Sequence, residues 1–144
     1  MWPEAVERIA VFLRSAGVEG RLEESLPGAG PPAGQMLRVD GFDAEGATVV
    51  ALIPADRAVD PQKLAAATKS SEVKPTPPTV FPFQGVRVFM DQSVLSFESI
   101  WLEAGSPRHL LGLSPAQLAR ITNAETADLL TEARTGEGDD ASRG

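Results

Sequence analysis

The chain contains no cysteine and a single histidine, His109, among its 144 residues. Without cysteine it has no disulfide, no thiolate metal site and no cysteine nucleophile. A metal centre with several histidine ligands is excluded as well, and a serine–histidine–carboxylate triad would have to use His109. Because His109 lies near the start of a strand-like segment, we interpret it as a surface or edge residue rather than a catalytic one.

The sequence also lacks a long apolar run and an excess of basic residues. No segment is apolar for long enough to cross a bilayer, and the amphipathic, acidic N-terminal segment does not resemble a signal peptide. We therefore expect a cytoplasmic protein that does not contact a membrane. The net charge is 13 − 20 = −7, which argues against binding along duplex DNA. An enzyme that grips only the end of a nucleic acid is compatible with this charge.

Glycine and tryptophan occur without the motifs that would assign them a function. The segment "GAGPPAG" matches neither a dinucleotide-binding fingerprint nor a Walker-type phosphate loop. Trp2 and Trp101 are not interleaved with basic residues, so a platform for stacking single-stranded bases is not supported. The length and a hydrophobic content of 42% fit one globular domain. We place it at residues 1–135, followed by a disordered acidic tail over 136–144.

The hydrophobic pattern alternates between helical and strand-like periods. Two helix starts carry clear signals: Asp60 before Pro61, and the capping-box pair Ser114 and Gln117 around Pro115. The sequence "DAEG" separates two strand candidates that read as an antiparallel hairpin. We predict helices over 3–16, from 61 and from 115, and strands over 36–42, 47–54, 86–91, 98–105 and 108–113. This pattern predicts a mixed α/β single domain, with a mostly antiparallel sheet or partial barrel flanked by helices.

Three polar residues in these strands have simple structural interpretations. Arg38 and Asp40 are two residues apart, so they lie on the same face of a strand and can form an ion pair. Asp91 ends an apolar strand, where its side chain favours turn formation. On chemistry alone the sequence indicates an α/β domain with an unusual proline-rich loop, "PTPPTVFPFQ".

Two long segments resemble a known family. The segments "GATVVALIPADRAVDPQKLAAA" and "VRVFMDQSVLSFESIWLEAGSPRHLLGLSPAQLARIT" are similar to the YbaK family, the aminoacyl-tRNA deacylases that also occur as the editing domain of prolyl-tRNA synthetases. The resemblance covers about residues 34–130. It rests on the order of these segments, since no single short motif is diagnostic.

The resemblance implies a set of site residues. In "GQMLR", Arg38 occupies the position of the family's catalytic lysine, and "PTVFPFQ" occupies the position of a glycine-rich loop that lines the aminoacyl pocket. The loss of those glycines, the change from lysine to arginine and two shortened segments are departures from the family pattern. By resemblance, the substrate-binding residues are Ile53, Pro82, Phe83, Gln84, Asp91 and Gly105.

The implied activity is hydrolysis of the ester in a tRNA mischarged with a small amino acid. The resemblance implies a reaction that uses backbone amides, the family lysine and the terminal hydroxyl of the RNA, so neither a cofactor nor a metal is implied. The acceptor end of tRNA, and a tRNA synthetase, are the expected partners. The alternative is a catalytically inactive domain of the same fold that binds a protein or a small ligand. The sequence leaves the oligomeric state open.

Overall fold

Three helices and eight strands form the part of the chain that a computed structural model describes, residues 3–18, 20–24, 34–79, 81, 83, 85–105 and 108–131. The helices are α1 (Glu4–Ala16), α2 (Pro61–Thr68) and α3 (Pro115–Thr122), with a short 3₁₀ helix over Gln92–Ser96. The strands are β1 (Arg21–Glu24), β2 (Gln35–Ala44), β3 (Ala47–Pro54), β4 (Lys74–Thr76), β5 (Arg87–Asp91), β6 (Ile100–Glu103), β7 (His109–Leu113) and β8 (Glu125–Ala127).

The strands form one mixed sheet in the order β1-β7-β6-β2-β3-β5-β8, with β4 also paired to β2. Antiparallel pairs join β1 to β7, β7 to β6, and β2 to both β3 and β4. Parallel pairs join β2 to β6, β3 to β5, and β5 to β8. The prediction of a mixed α/β single domain is therefore confirmed.

The predicted hairpin is present as β2 and β3. Their register runs from Leu37 opposite Pro54 to Ala44 opposite Ala47. Glu45 and Gly46 make the turn with φ of 54° and 92°, and the backbone N–H of Gly46 donates to the Asp43 carboxylate at 2.8 Å. Two successive positive φ values match the tight turns whose twist suits a two-stranded ribbon.

The helix ends follow the capping signals in the sequence. Gly17 ends α1 in the left-handed conformation with φ of 71°. The Asp60 side chain accepts the backbone N–H of Gln62 at 2.9 Å at the start of α2. Ser114 and Gln117 form the predicted capping box at the start of α3. All three helices begin within a residue of their predicted positions, and α1 ends at its predicted last residue.

The two faces of the sheet carry separate apolar clusters. Alternate residues of β3 divide between them, since Val50 and Leu52 belong to one cluster and Val49, Ala51 and Ile53 to the other. The first cluster contains Ile9, Leu13 and Leu118 of α1 and α3, and we call its side the α1 face. The second contains Leu64 and Ala65 of α2, and we call its side the α2 face. The nearly all-apolar β3 is buried on both faces over most of its length.

Three short strands, β1, β4 and β8, were not predicted, and β1 changes the interpretation of His109. The pairing of β1 with β7 sets Glu24 opposite His109. With strands on both sides of β7, His109 is only 5% exposed. The expectation that it is a surface or edge residue was wrong, because the short and mostly polar segment that forms β1 carries no strand signal.

Two of the predicted pocket residues, Pro82 and Gln84, and the predicted tail over 136–144 lie outside the described residues. Within the ranges that are described, none of the helices is long and apolar enough to cross a membrane.

Candidate functional site

The site is centred on a change of partner along β2. One edge of β2 pairs with β3 along almost its whole length. The other edge pairs with β6 at Gln35 and Met36, and then with β4 from Gly41 to Asp43. No described strand pairs with residues 37–40 on that second edge, and we call this stretch the β2 notch.

Arg38 and Asp40 lie in the β2 notch and form the predicted ion pair. Arg38 Nε donates to Asp40 Oδ1 at 2.9 Å. The Arg38 side chain is 54% exposed, and that of Asp40 is 21% exposed. Among the described residues this is the only polar contact of the guanidinium. Its two terminal nitrogens are therefore available to an incoming acceptor group.

Ile53 is the cross-strand neighbour of Arg38, because the two are directly opposite in the β2–β3 register. Residues opposite each other in an antiparallel pair project to the same face, so Arg38 lies on the α2 face with Ile53. The Ile53 side chain is fully buried in the α2-face cluster. The Ile53 side chain therefore provides an apolar surface beside the exposed guanidinium of Arg38.

The proline-rich segment borders the β2 notch at Gly41. A Cβ atom at Gly41 would lie 2.6 Å from the Thr76 carbonyl oxygen and 2.7 Å from Pro78 Cα. Only glycine allows the segment to pass this closely over β2. The segment therefore runs from the margin of the β2 notch toward Phe81 and Phe83.

Phe83 belongs to the opposite side of the sheet from Arg38. Its side chain is 3% exposed and packs in the α1-face cluster. It makes an edge-to-face contact with Phe81, which makes another with Phe12 of α1. The backbone of Phe83 has φ of 63°, a conformation that is unusual for a bulky residue. Phe83 thus anchors the loop in the core rather than facing Arg38.

Gly105 and Asp91 have structural contacts of their own. A Cβ at Gly105 would lie 2.9 Å from the backbone nitrogen of Val6, so the glycine permits close packing against the first turn of α1. Asp91 is 2% exposed. Its carboxylate accepts the backbone N–H groups of Ser93 at 2.9 Å and Leu129 at 2.8 Å, and also the Ser93 hydroxyl. The expectation of turn formation by Asp91 is confirmed.

An open cleft of about 550 Å³ lies between α1, the loop before β5 and the end of α3. Of the predicted site residues that the structure describes, only Phe83 lines it, together with Phe12, Val86 and Ile121. Arg87 and Glu125 at the margin of the cleft form an ion pair, with Arg87 Nη2 2.8 Å from Glu125 Oε2. We base the candidate site on the β2 notch rather than on this cleft, because the notch offers an arginine with unengaged donors.

The structure brings Arg38 and Ile53 together on the α2 face, and Asp91 lies on the adjacent strand β5, directly after Met90, the partner of Leu52. Phe83 packs instead in the α1-face cluster, and Gly105 lies against α1. Within the described residues, no group of three histidine, aspartate or glutamate side chains could hold a metal ion. Sequence reasoning missed the β2 notch, since strand partners come from distant segments. The one available signal was Gly41 inside a strand pattern, which is typical of a close backbone approach.

The comparisons with known proteins concern the fold. No protein-family model matches the chain, and no curated protein matches it in sequence. A candidate trans-editing enzyme for prolyl tRNA synthetase superimposes with a TM-score of 0.76 at 18% identity, over 91% of this chain and 99% of that one. A scaffold protein used for computational grafting of linear epitopes has the same TM-score at 17% identity, with the same coverage.

A third solved structure shares the fold within a larger protein. It is a candidate signal transduction protein from Marinobacter aquaeolei VT8, with a TM-score of 0.69 at 14% identity. The match covers 92% of this chain but 31% of that protein. At these identities the likeness establishes a common fold, which occurs in proteins of more than one described role.

Proposed function

We propose that the protein is a trans-editing aminoacyl-tRNA deacylase, a diverged relative of the YbaK family that acts on tRNA mischarged with a small amino acid. The observation that carries this proposal is Arg38, an exposed cation in the β2 notch with its terminal nitrogens unengaged. It stands where the resemblance places the family lysine. The shared fold with a candidate trans-editing enzyme supports the same interpretation.

The reaction needs little from the protein because an aminoacyl ester is already activated. Water adds to the ester carbonyl carbon, the carbonyl oxygen gains negative charge, and the bond to the ribose oxygen then breaks. The ribose oxygen leaves with a proton, giving the free amino acid and the tRNA. In this proposal the Arg38 guanidinium stabilises the developing oxyanion, as fixed cations and dipoles do in other acyl-transfer sites.

The charge distribution favours contact with the acceptor end of tRNA over contact with its body. Several cations are neutralised by carboxylates: Arg8 by Glu4, Arg21 by Glu23, Lys63 by Asp128 and Arg87 by Glu125. A broad basic surface for the phosphate backbone is therefore not a feature of the described residues. We propose that a tRNA synthetase in the cytoplasm contributes the remaining affinity for tRNA.

The test is single-turnover deacylation of a panel of mischarged tRNAs, with alanine, serine and cysteine on the tRNAs for proline and its neighbours. The Arg38→Ala variant should hydrolyse the preferred substrate about 10²–10³-fold more slowly than the wild type, the usual cost of losing one oxyanion-stabilising group. Its thermal midpoint should stay close to that of the wild type, because an exposed ion pair contributes only about 0–1 kcal/mol.

Arg87→Ala is the matched control. Arg87 is 51% exposed and is also paired with a carboxylate, but it lies away from the β2 notch. Its removal should leave the deacylation rate unchanged. An Arg38→Ala variant that is as active as the wild type would remove Arg38 from the proposed mechanism.

The second candidate is a non-catalytic binding domain of the same fold. It is favoured by the position of Phe83, which is buried on the α1 face rather than directed toward Arg38, and by the same fold in a candidate signal transduction protein. This candidate predicts that well-folded wild-type protein hydrolyses none of the mischarged tRNAs at an enzyme concentration that saturates binding.

A further inference from the structure

The contact between Arg38 and Asp40 uses only one edge of the guanidinium. Asp40 Oδ1 accepts from Nε, the nitrogen within the side chain, at 2.9 Å. The terminal nitrogens, Nη1 and Nη2, make no polar contact with the described residues. An arginine held in this way keeps a planar pair of N–H donors directed away from its partner.

We infer that Asp40 is a positioning residue for Arg38, and this inference rests on the proposed function. An unrestrained arginine side chain samples many rotamers, so its donors seldom coincide with the place where charge develops. Asp40 is the less exposed partner, at 21%, and it lies on a strand paired with β3. It fixes the plane of the guanidinium before the substrate arrives, which is the preorganisation that oxyanion stabilisation requires.

The same geometry explains why arginine suits this site and lysine does not. An arginine can engage Asp40 through Nε and a substrate oxygen through Nη1 or Nη2 at the same time. A lysine carries its three N–H donors on one nitrogen, so an aspartate two residues away on the same face would draw that nitrogen away from the substrate oxygen. In this chain, therefore, the aspartate helps an arginine and hinders a lysine.

The experiment measures single-turnover deacylation for six proteins: wild type, Asp40→Ala, Asp40→Asn, Arg38→Ala, Arg38→Lys and Arg38→Lys with Asp40→Ala. The Asp40→Ala variant should be about tenfold slower than the wild type at saturating enzyme, through the chemical rate rather than through binding. Asp40→Asn keeps an oxygen that accepts from Nε and should stay within about threefold of the wild type.

The decisive comparison is whether Asp40→Ala raises or lowers the deacylation rate in two backgrounds, the wild type and the Arg38→Lys variant. It should slow the wild type and accelerate the Arg38→Lys variant, by about threefold or more, because removal of the carboxylate frees the ammonium. A purely structural role for Asp40 would change the rate in the same direction in both backgrounds. Glu125→Ala, added to each background as a further control beyond these six proteins, removes the carboxylate from the ion pair with Arg87 and should change neither rate.

Failure of the positioning role and failure of the proposed function give different results in this experiment. An active wild type with an equally active Asp40→Ala variant overturns the positioning role and leaves the proposed function intact. The same follows if Asp40→Ala slows the wild type and the Arg38→Lys variant by the same factor. A wild type that hydrolyses none of the mischarged tRNAs overturns the proposed function and, with it, this inference.

Discussion

Asp91 shows how one buried carboxylate joins three parts of the chain. It ends β5, its side chain caps the following 3₁₀ helix through Ser93, and it accepts the backbone N–H of Leu129 at 2.8 Å. A carboxylate that is only 2% exposed is stable only when its oxygens accept hydrogen bonds. The hydrogen bonds from Ser93 and Leu129 meet that requirement, so Asp91 acts here as a structural junction.

Replacing Asp91 by alanine should destabilise the protein by about 2–4 kcal/mol, because the buried N–H of Leu129 and the cap of the 3₁₀ helix both lose their acceptor. Urea denaturation followed by circular dichroism measures this change. Asp128→Ala is the matched control: its carboxylate is 56% exposed and paired with Lys63, and its loss should cost less than about 1 kcal/mol. Equal effects of the two substitutions would contradict the junction role.

Individual residues were predictable from sequence where their partner is near in the chain. The Arg38–Asp40 ion pair and the turn at Asp91 follow from spacings of two residues. The contact between Asp91 and Leu129 spans 38 residues, and nothing in a local pattern indicates it. For the same reason the burial of Phe83 on the α1 face was not foreseen.

At the scale of elements, hydrogen bonds connect the β2–β3 turn to the segment after α2. Glu45 has φ of 54°, which costs energy for a residue other than glycine. Its carboxylate accepts both the hydroxyl of Ser71 at 2.5 Å and the Ser71 backbone N–H at 3.0 Å. These hydrogen bonds lower the pKa of Glu45 below its ordinary value of 4.5, and the hydroxyl contributes most.

The Ser71→Ala variant should therefore raise the pKa of Glu45 toward 4.5. A lowered carboxylate pKa adds stability above the unfolded-state pKa, and that stability is lost as the pH falls through the folded-state value. The variant should lose part of this acid-side dependence. An NMR titration of the Glu45 carboxyl carbon measures the shift. Ser70→Ala is the control, since the Ser70 hydroxyl contacts Thr68 instead; a shift of the Glu45 pKa in that variant would contradict the assignment.

The elements with strong local signals were predicted, and the ones held only by pairing were not. All three helices carry a cap that is legible in the sequence. By contrast β1, β4 and β8 are three or four residues long and mostly polar, and they are strands because a neighbour pairs with them. Since the β2 notch is defined by where β6 and β4 stop pairing, its position could not be predicted either.

At the scale of the molecule, the segment from β8 to Thr131 holds α2 against the sheet. The backbone N–H of Asp60 donates to Leu129 at 2.7 Å, and that of Thr131 donates to Ala58 at 3.0 Å. The Leu129 and Leu130 side chains are 0% and 6% exposed in the α2-face cluster. This segment completes the α2-face cluster, so the packing of that cluster depends on residues near the end of the described chain.

A chain that ends at residue 124 should lose its cooperative thermal transition. Burial of each leucine contributes about 1.5–3 kcal/mol, and the hydrogen bonds add to this against a total stability of about 5–15 kcal/mol. A chain that ends at residue 135 should keep the midpoint of the full-length protein, as expected if 136–144 form a disordered tail. Differential scanning calorimetry of both chains measures this. A shorter chain with the full-length midpoint would show that the segment is dispensable.

The pairing of β1 with β7 also has a consequence for synthesis of the protein. It sets Arg21 opposite Gly112, so β1 leaves the ribosome long before the strand that will flank it exists. Domains dominated by contacts between distant segments fold slowly, and unpaired strands are prone to association meanwhile. The sheet therefore cannot be completed until β7 has been translated. We expect β1 to stay unpaired during synthesis until β7 has emerged, and the formation of this pair to be slow.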